Sequence, residues 1–220
     1  MARSDYPTAQ PFLPDDKNLD TLATAAEGCQ GCPLYQDATQ VVFGSGPPDA
    51  EIMLVGEQPG AQEDQIGEPF VGPAGRLLDQ ALKEGGLNRD ELYITNAVKH
   101  FKFEVSDGRR SGIKPSVGEI KACHPWLESE IEQVQPEIVV AMGAVAARSL
   151  TGKPLAIGEV LGSWLQTSEG RSLIVTYHPS AVLRSPAEVD QDRIFEALVR
   201  DLDRAREAVL SARGGRRPQA

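Results

Sequence analysis

The chain has 220 residues, with 22 Lys+Arg against 32 Asp+Glu and a formal net charge of -10. Its 40% hydrophobic and 25% charged residues are ordinary globular composition and exclude global disorder. No apolar run approaches the roughly 20 residues that span a bilayer, and the opening MARSDYPTAQPFLPDD has no apolar leader stretch. The expectation is a monomeric cytoplasmic protein with no membrane partner. A sequence pI of 4.8 argues against a surface built throughout for polyanions, but a local basic site remains compatible with it.

Taken in chain order, residues 1–18 are polar and Pro-containing and are expected to be a flexible arm. Residues 19–212 read as one domain. LDTLATAA (19–26) is a short helix ending at Gly28. EIMLVG (51–56) is a buried strand. AGRLLDQALKEGGL (74–87) is a helix with Leu77, Leu78, Ala81 and Leu82 on one face and Gly85-Gly86 as its stop. ELYITNAV (91–98) is a second strand. The 116–134 run is a helix with Ser116 and Glu119 as a capping box, kinked or divided at Pro125. EIVVAMG (137–143) is a third strand and AVAARSL (144–150) its helix. SLIVTYHPS (172–180) is a fourth strand running into a loop, and 186–212 is a long helix. The tail, 213–220, is basic. This alternation predicts an α/β fold with a parallel sheet and helices on both faces. In such sheets ligands bind beyond the carboxyl ends of the strands. The segments 56–64, Asn96 with its neighbours, and 178–184 should therefore converge.

The three cysteines set a second constraint. Cys29 and Cys32 form C-Q-G-C, and Cys123 lies far downstream. An odd count argues against a disulfide framework and for a reducing compartment. The CxxC follows a helical run and precedes no strong strand, which favours metal or cluster ligation over a redox pair. His100 would complete a Cys3His set.

The segment 56–75 holds five glycines and three prolines, a rigid close-approach loop that matches neither nucleotide-phosphate motif. It offers Glu57, Gln58, Asp64 and the aromatic face of Phe70, or else it is a structural turn with an acidic tip. Asn96 at a strand end offers a donor and an acceptor side by side, suited to a flat heterocycle, or it is an Asx turn. His178 before a proline at a strand end is placed as a polar catalyst, although a lone His is often structural. The run NAVKHFKF interleaves Lys99 and Lys102 with Phe101 and Phe103, as a nucleic-acid face does. The following 107–116 segment reads as a basic, flexible loop. Leu183 and Arg184 form an apolar wedge with an adjoining cation.

GEQPGAQED…GEPFVGPAG, YITNAVKHFKF, the Cys pattern and HPSAVLR resemble the iron–sulfur uracil-DNA glycosylases of family 4, and within them the UdgX branch. The resemblance runs from about Leu22 to Asp201. It implies a three-layer αβα sandwich with a four-stranded, mostly parallel sheet, and a [4Fe–4S] cluster on Cys29, Cys32, His100 and Cys123 with a structural role. It implies a uracil pocket in which Gln58 and Gly60 donate main-chain hydrogen bonds, Phe70 stacks, Asn96 reads O4 and N3, and His178 donates to O2. Glu57 would stabilise the cationic sugar or help position water, and Asp64 matches a second acidic position. Ser180, Leu183 and Arg184 would meet the duplex minor groove, with Lys102, Arg109, Arg110 and Lys114 also on the DNA face. The implied partners are uracil-containing DNA, single- or double-stranded, and free uracil as product.

The chain departs from the resemblance at one point. The UdgX branch carries K-R-R-I-H, whose His attacks the sugar and leaves a covalent adduct. Here the aligned residue is Gly112, and no histidine lies between His100 and His124. Hydrolysis with release of product is the expectation. A tight binder of uracil or abasic DNA without turnover, and a redox protein using the cluster, are the alternatives.

Overall fold

The computed structural model describes residues 6–215. In chain order these form α1 (Leu19–Ala26), β1 (Ile52–Gly56), α2 (Ala61–Ile66), α3 (Pro73–Glu84), β2 (Tyr93–Asn96), β3 (Phe103–Ser106), β4 (Arg109–Gly112) and α4 (Val117–Val134). There follow β5 (Ile138–Met142), α5 (Ala144–Thr151), α6 (Ile157–Val160), β6 (Trp164–Gln166), β7 (Ser172–Thr176), α7 (Ser180–Arg184) and α8 (Glu188–Gly215). The main sheet runs β2-β1-β5-β7-β6, parallel except for β6, which pairs antiparallel with β7.

Strand side chains alternate between faces, and the sheet divides its apolar residues accordingly. Met53, Val55, Val139, Ala141 and Val175 pack with α1, α4 and α5. Ile52, Leu54, Val140, Met142 and Ile174 pack with α3 and α8. The expected three-layer αβα sandwich is therefore present. The sheet has five strands rather than four. The fifth, β6, is three residues long with Trp164 and Gln166 exposed, too short and too polar to register as a periodic strand.

Three further expectations are corrected. The 107–116 segment is not a loose loop: β3 and β4 form a hairpin that turns at Asp107 and Gly108, both at positive φ, the turn geometry that Asp-Gly favours. Of the two outcomes expected at Pro125, division is overturned: α4 runs from its Ser116–Glu119 capping box to Val134 with Pro125 inside it. The adjoining carbonyl of Ala122 takes the N–H of Ala9 at 2.7 Å. That bond belongs to the third correction, because the arm is docked at Thr8 and Ala9, residues 1–5 lying outside the described residues: Thr8 N–H also bonds Gly31 O at 3.1 Å, and Ala9 is fully buried. At the other end Arg213, expected in a basic tail, extends α8 and pairs with Glu51.

Candidate active site

The three segments expected to converge do so. Beyond the carboxyl ends of β1, β2 and β7 lies a cavity of about 430 Å³, lined by Glu57, Gln58, Gly60, Phe70, Asn96, His178, Ser180, Leu183 and Arg184 among others. Its size falls in the ~300–1,000 Å³ range of small-ligand pockets. The strand ends place these groups directly. Gly56 pairs with Asn96 across the parallel ladder, and the N–H groups of Ala97 and Val98 bond the carbonyls of Gly56 and Glu57 at 3.0 and 3.1 Å.

Two polar atoms in this cavity are buried without a partner among the described residues: Asn96 Oδ1 and His178 Nε2. A buried polar atom left unpaired is costly, so both are poised for a ligand. The tautomer of His178 follows from its other nitrogen. Nδ1 accepts the Ser180 N–H at 3.1 Å and lies 2.7 Å from Ser180 Oγ, which in turn accepts from Arg184 Nη1 at 2.9 Å. Nε2 therefore carries the proton and is a donor. Burial, with the nearby Arg184 charge, lowers the His178 pKa to about 4, so the ring is neutral at physiological pH. Burial raises the Glu57 carboxyl above its ordinary range, opposed by Lys114 and Arg184.

Phe70 forms the flat wall, its ring centroid 5.7 Å from that of His178 at 33°. Its backbone sits at φ 57, a left-handed conformation costing a bulky residue about 1–3 kcal/mol. Two glycines make room for it. A Cβ on Gly56 would lie 2.3 Å from Asn96 Oδ1 and 2.5 Å from Phe70 Cζ, and one on Gly75 would lie 1.8 Å from the Phe70 carbonyl oxygen.

Several residues expected in the site have other work. The Gln58 side chain grips both legs of the hairpin base: its Oε1 accepts from Lys102 N at 3.0 Å, and its Nε2 donates to the carbonyls of Lys102 and Ile113, each at 3.1 Å. Only its main chain is left for a ligand. The Gly60 N–H is engaged by Glu63 Oε2 at 3.1 Å in the cap of α2, so the donor expected there is occupied. Asp64 does not line the cavity. It is fully buried and accepts from Thr39 N, Thr39 Oγ1 and Arg110 Nη1 at 2.9, 2.5 and 2.8 Å.

The basic face is correspondingly thinner than the sequence implies. Lys99 is completely buried, Lys102 pairs with Glu119 at 2.9 Å, and Arg110 pairs with Asp64 while lying 4.8 Å over the Phe103 ring. Arg109, Arg110, Lys114 and Arg184 are exposed; Arg110 and Arg184 line the cavity beside an exposed Leu183, and Lys114 and Arg184 act on Glu57. Three residues absent from the sequence reading matter here. Glu63 ties the Gly60 and Gly72 N–H groups together at 3.1 and 2.8 Å, and its position three residues after Gly60 is the one from which a Glu reaches back to an N-cap N–H. Arg89 holds the Phe70 turn from behind, and Glu130 neutralises Lys99. Neither stands in a motif.

Cys29, Cys32, Cys123 and His100 are all buried, and the cysteines are free thiols. The charges that bear on Cys32 and Cys123 include the other cysteines, Lys99 and Lys102, whereas the one bearing on His100 is Asp64. Cys29 Sγ accepts from Trp126 Nε1 and Cys123 Sγ from Lys99 N, both at 3.2 Å. Burial pushes the Cys123 thiol up to about 12 and raises Cys32 as well. Among the described residues no three His, Cys, Asp or Glu side chains converge on one ion.

The sequence profile of the uracil DNA glycosylase superfamily matches residues 43–203. The chain is 34% identical to the type-4 uracil-DNA glycosylase of Thermotoga maritima over 189 residues, 86% of this chain and 93% of that protein. It is 39% identical to the type-4 enzyme of Sulfurisphaera tokodaii over 177 residues, 77% of each. A type-5 uracil-DNA glycosylase of Pyrobaculum aerophilum is 28% identical over 173 residues, 69% of this chain and 71% of that protein.

Proposed function

The chain belongs to the uracil DNA glycosylase superfamily, and we propose that it hydrolyses the N-glycosidic bond of uracil in DNA, releasing free uracil and leaving an abasic site. The observation that carries this is the pair of enclosed, unpartnered polar atoms, an acceptor on Asn96 and a donor on His178, beside the face of Phe70. A flipped uracil presents the complementary edge: an N3–H for Asn96 Oδ1, and O2 for His178 Nε2–H. Cytosine has no N3–H, so the Asn96 Oδ1 acceptor discriminates against it.

The chemistry follows from charge. The C1′–N1 bond breaks with its electron pair going to uracil, and His178 holds the negative charge that develops at O2. A well-placed donor of this kind contributes roughly 3–4 kcal/mol. A neutral imidazole suits the role, since it stabilises the anion without having to give up a proton. Glu57 faces the cationic sugar, water adds its hydroxide to C1′, and its proton is left to neutralise uracil. Product leaves because nothing nucleophilic occupies the hairpin wall: Gly112 lines the cavity and offers no side chain.

The three buried thiols of Cys29, Cys32 and Cys123 act on one another's charge, which supports the reading that they would hold a [4Fe–4S] cluster with His100 as the fourth ligand, one ligand per iron. Its irons would compensate the thiolates that burial otherwise disfavours, and two sulfurs already accept N–H bonds of the kind that tune clusters. When bound it supplies a crosslink between the loop at Cys29 and Cys32, the His100 segment and α4, and takes no part in the hydrolysis. Purified protein should be brown and hold about four irons per chain; a colourless, iron-free yet active protein would overturn this. In this reading the enzyme acts as a cytoplasmic monomer.

The activity test is excision from a single-stranded uracil oligonucleotide, read by alkali cleavage, with a heated SDS lane for adducts. Wild type should cleave catalytically and leave no adduct, and His178→Ser should lose orders of magnitude in rate. Unchanged turnover in His178→Ser would sink the assignment of His178. Gly112→His should produce an SDS-resistant adduct; its absence would overturn the account of why product is released.

A further inference from the structure

Phe70 bears the stacking face, yet its left-handed backbone is one that a phenylalanine disfavours. Something has to hold it. Gly56 and Gly75 only leave space. The positive restraint is polar and comes from outside the cavity. Arg89 Nη2 donates to two consecutive carbonyls, those of Pro69 at 3.1 Å and Phe70 at 3.2 Å. Its Nη1 donates to Asp79 Oδ1 on α3 at 2.6 Å.

One planar guanidinium thus grips the turn on its reverse side and braces it against the helix that follows. Arg89 itself sits in the turn leading into β2, where Asn88 Oδ1 caps the Asp90 N–H at 3.2 Å. The far end of β2 is Asn96. The arginine therefore fastens the stacking platform to the strand that carries the base reader, so wall and reader keep a fixed spacing. Arg89 is not among the cavity-lining residues, and its side chain is one-third exposed. It cannot act by touching the base, and its removal leaves no buried charge stranded.

We propose that Arg89 is a positioning residue for excision, holding Phe70 against the flipped base through the Pro69 and Phe70 carbonyls. This rests on the reading of Phe70 as the stacking face. Lysine would not replace it well, because a point charge lacks the fork that spans two carbonyls and a carboxylate.

The test compares Arg89→Ala, Arg89→Lys, Asp79→Ala, Phe70→Ala and the Arg89→Ala/Phe70→Ala double variant. The readouts are single-turnover excision of uracil from single-stranded DNA, inhibition by free uracil, and thermal melting. Arg89→Ala should slow excision on the order of ten- to a hundredfold, the scale of lost charged hydrogen bonds, and weaken uracil inhibition in parallel. Arg89→Lys should recover part of the loss, and Asp79→Ala, which removes the brace but keeps the grip on the two carbonyls, should slow excision less than Arg89→Ala. The double variant should be no slower than Phe70→Ala, because the arginine acts through that ring.

If Phe70→Ala is fully active, the stacking assignment fails and the proposal with it. If Phe70→Ala is slow while Arg89→Ala matches wild type in rate and uracil inhibition, whatever its melting point, the role of Arg89 alone is overturned. If the two losses multiply, Arg89 acts elsewhere and the proposal is also overturned.

Discussion

Neutralising one member of the buried Lys99–Glu130 pair should be the most destabilising change next to the site. Lys99 Nζ donates to Glu130 Oε2, Thr95 Oγ1 and the Asn96 carbonyl at 2.5, 2.6 and 2.9 Å. Its three protons are thereby used, and the ammonium lies 5.3 Å from the Phe43 ring centroid. Glu130 Oε1 accepts from Gly44 N, Tyr93 Oη and Thr95 Oγ1 at 3.0, 3.1 and 2.9 Å. Burial and the adjacent carboxylate push the Tyr93 phenol well above its ordinary range, so it remains a donor. The side chains of Lys99 and Glu130 are 1% and 0% exposed. Lys99→Met would leave a carboxylate with hydrogen bonds but no counter-charge, at a cost of about 3–5 kcal/mol, a large share of the roughly 5–15 kcal/mol that holds a domain together. Lys99→Met/Glu130→Gln removes both charges and keeps an acceptor for the Gly44 and Tyr93 donors. It should sit closer to wild type than the sum of the single changes, by about 1–3 kcal/mol. Urea unfolding of the three variants, followed by circular dichroism, measures this. A single variant within about 1 kcal/mol of wild type, or strict additivity, would refute the reasoning.

Two more predictions concern charge. The ring of His178, its pKa lowered to about 4, should remain neutral from pH 8 to about 5; nitrogen NMR of the labelled imidazole should show Nε2 protonated and Nδ1 bare, and an imidazolium at pH 6 would be incompatible with the geometry. Since the folded pKa is depressed, the stability tied to this group is fully present above the ordinary value near 6.5 and is lost as pH falls through about 4. With Arg109, Lys114 and Arg184 as exposed cations that hold no ion pair among the described residues, the logarithm of duplex affinity should fall with log salt at a slope of about −2 to −3; a slope of about −4 to −5 would mean that Lys102 and Arg110 leave their carboxylates for phosphate.

The sheet was legible because its central strands are buried on both faces. Continuous runs such as EIMLVG and EIVVAMG admit few other readings, and their order with the helices dictates three layers. What escaped detection lies where burial is slight. The β3–β4 hairpin carries Asp107-Gly108, a strong turn signal, but β4 is wholly exposed and β3 nearly so. Without an apolar face there was no alternation to read. The docked arm depends on Ala9 fitting against Gly31 and Ala122, a contact between distant segments that no local pattern announces.

The site divides along the same line. Glu57, Asn96 and His178 could be placed because a rule about strand ends maps sequence directly onto space, and that rule requires no knowledge of side-chain partners. Gln58, Asp64, Lys102 and Arg110 sit in the same motifs, and a polar residue that latches two segments looks, in sequence, like one that faces a ligand. The structure separates them by what each side chain already holds. Asp64 and Gln58 are spent on the hairpin from two directions, one through Arg110 and the other through Lys102 and Ile113. Asp64 and Gln58 therefore help fix the wall that carries Gly112, while Asn96 Oδ1 and His178 Nε2 are left unsatisfied. An overall charge of -10 is compatible with DNA binding on these terms. Much of the basic character of the 99–114 segment is spent on ion pairs, Lys99 with Glu130, Lys102 with Glu119 and Arg110 with Asp64, and the exposed Arg109 and Lys114 are left for phosphate.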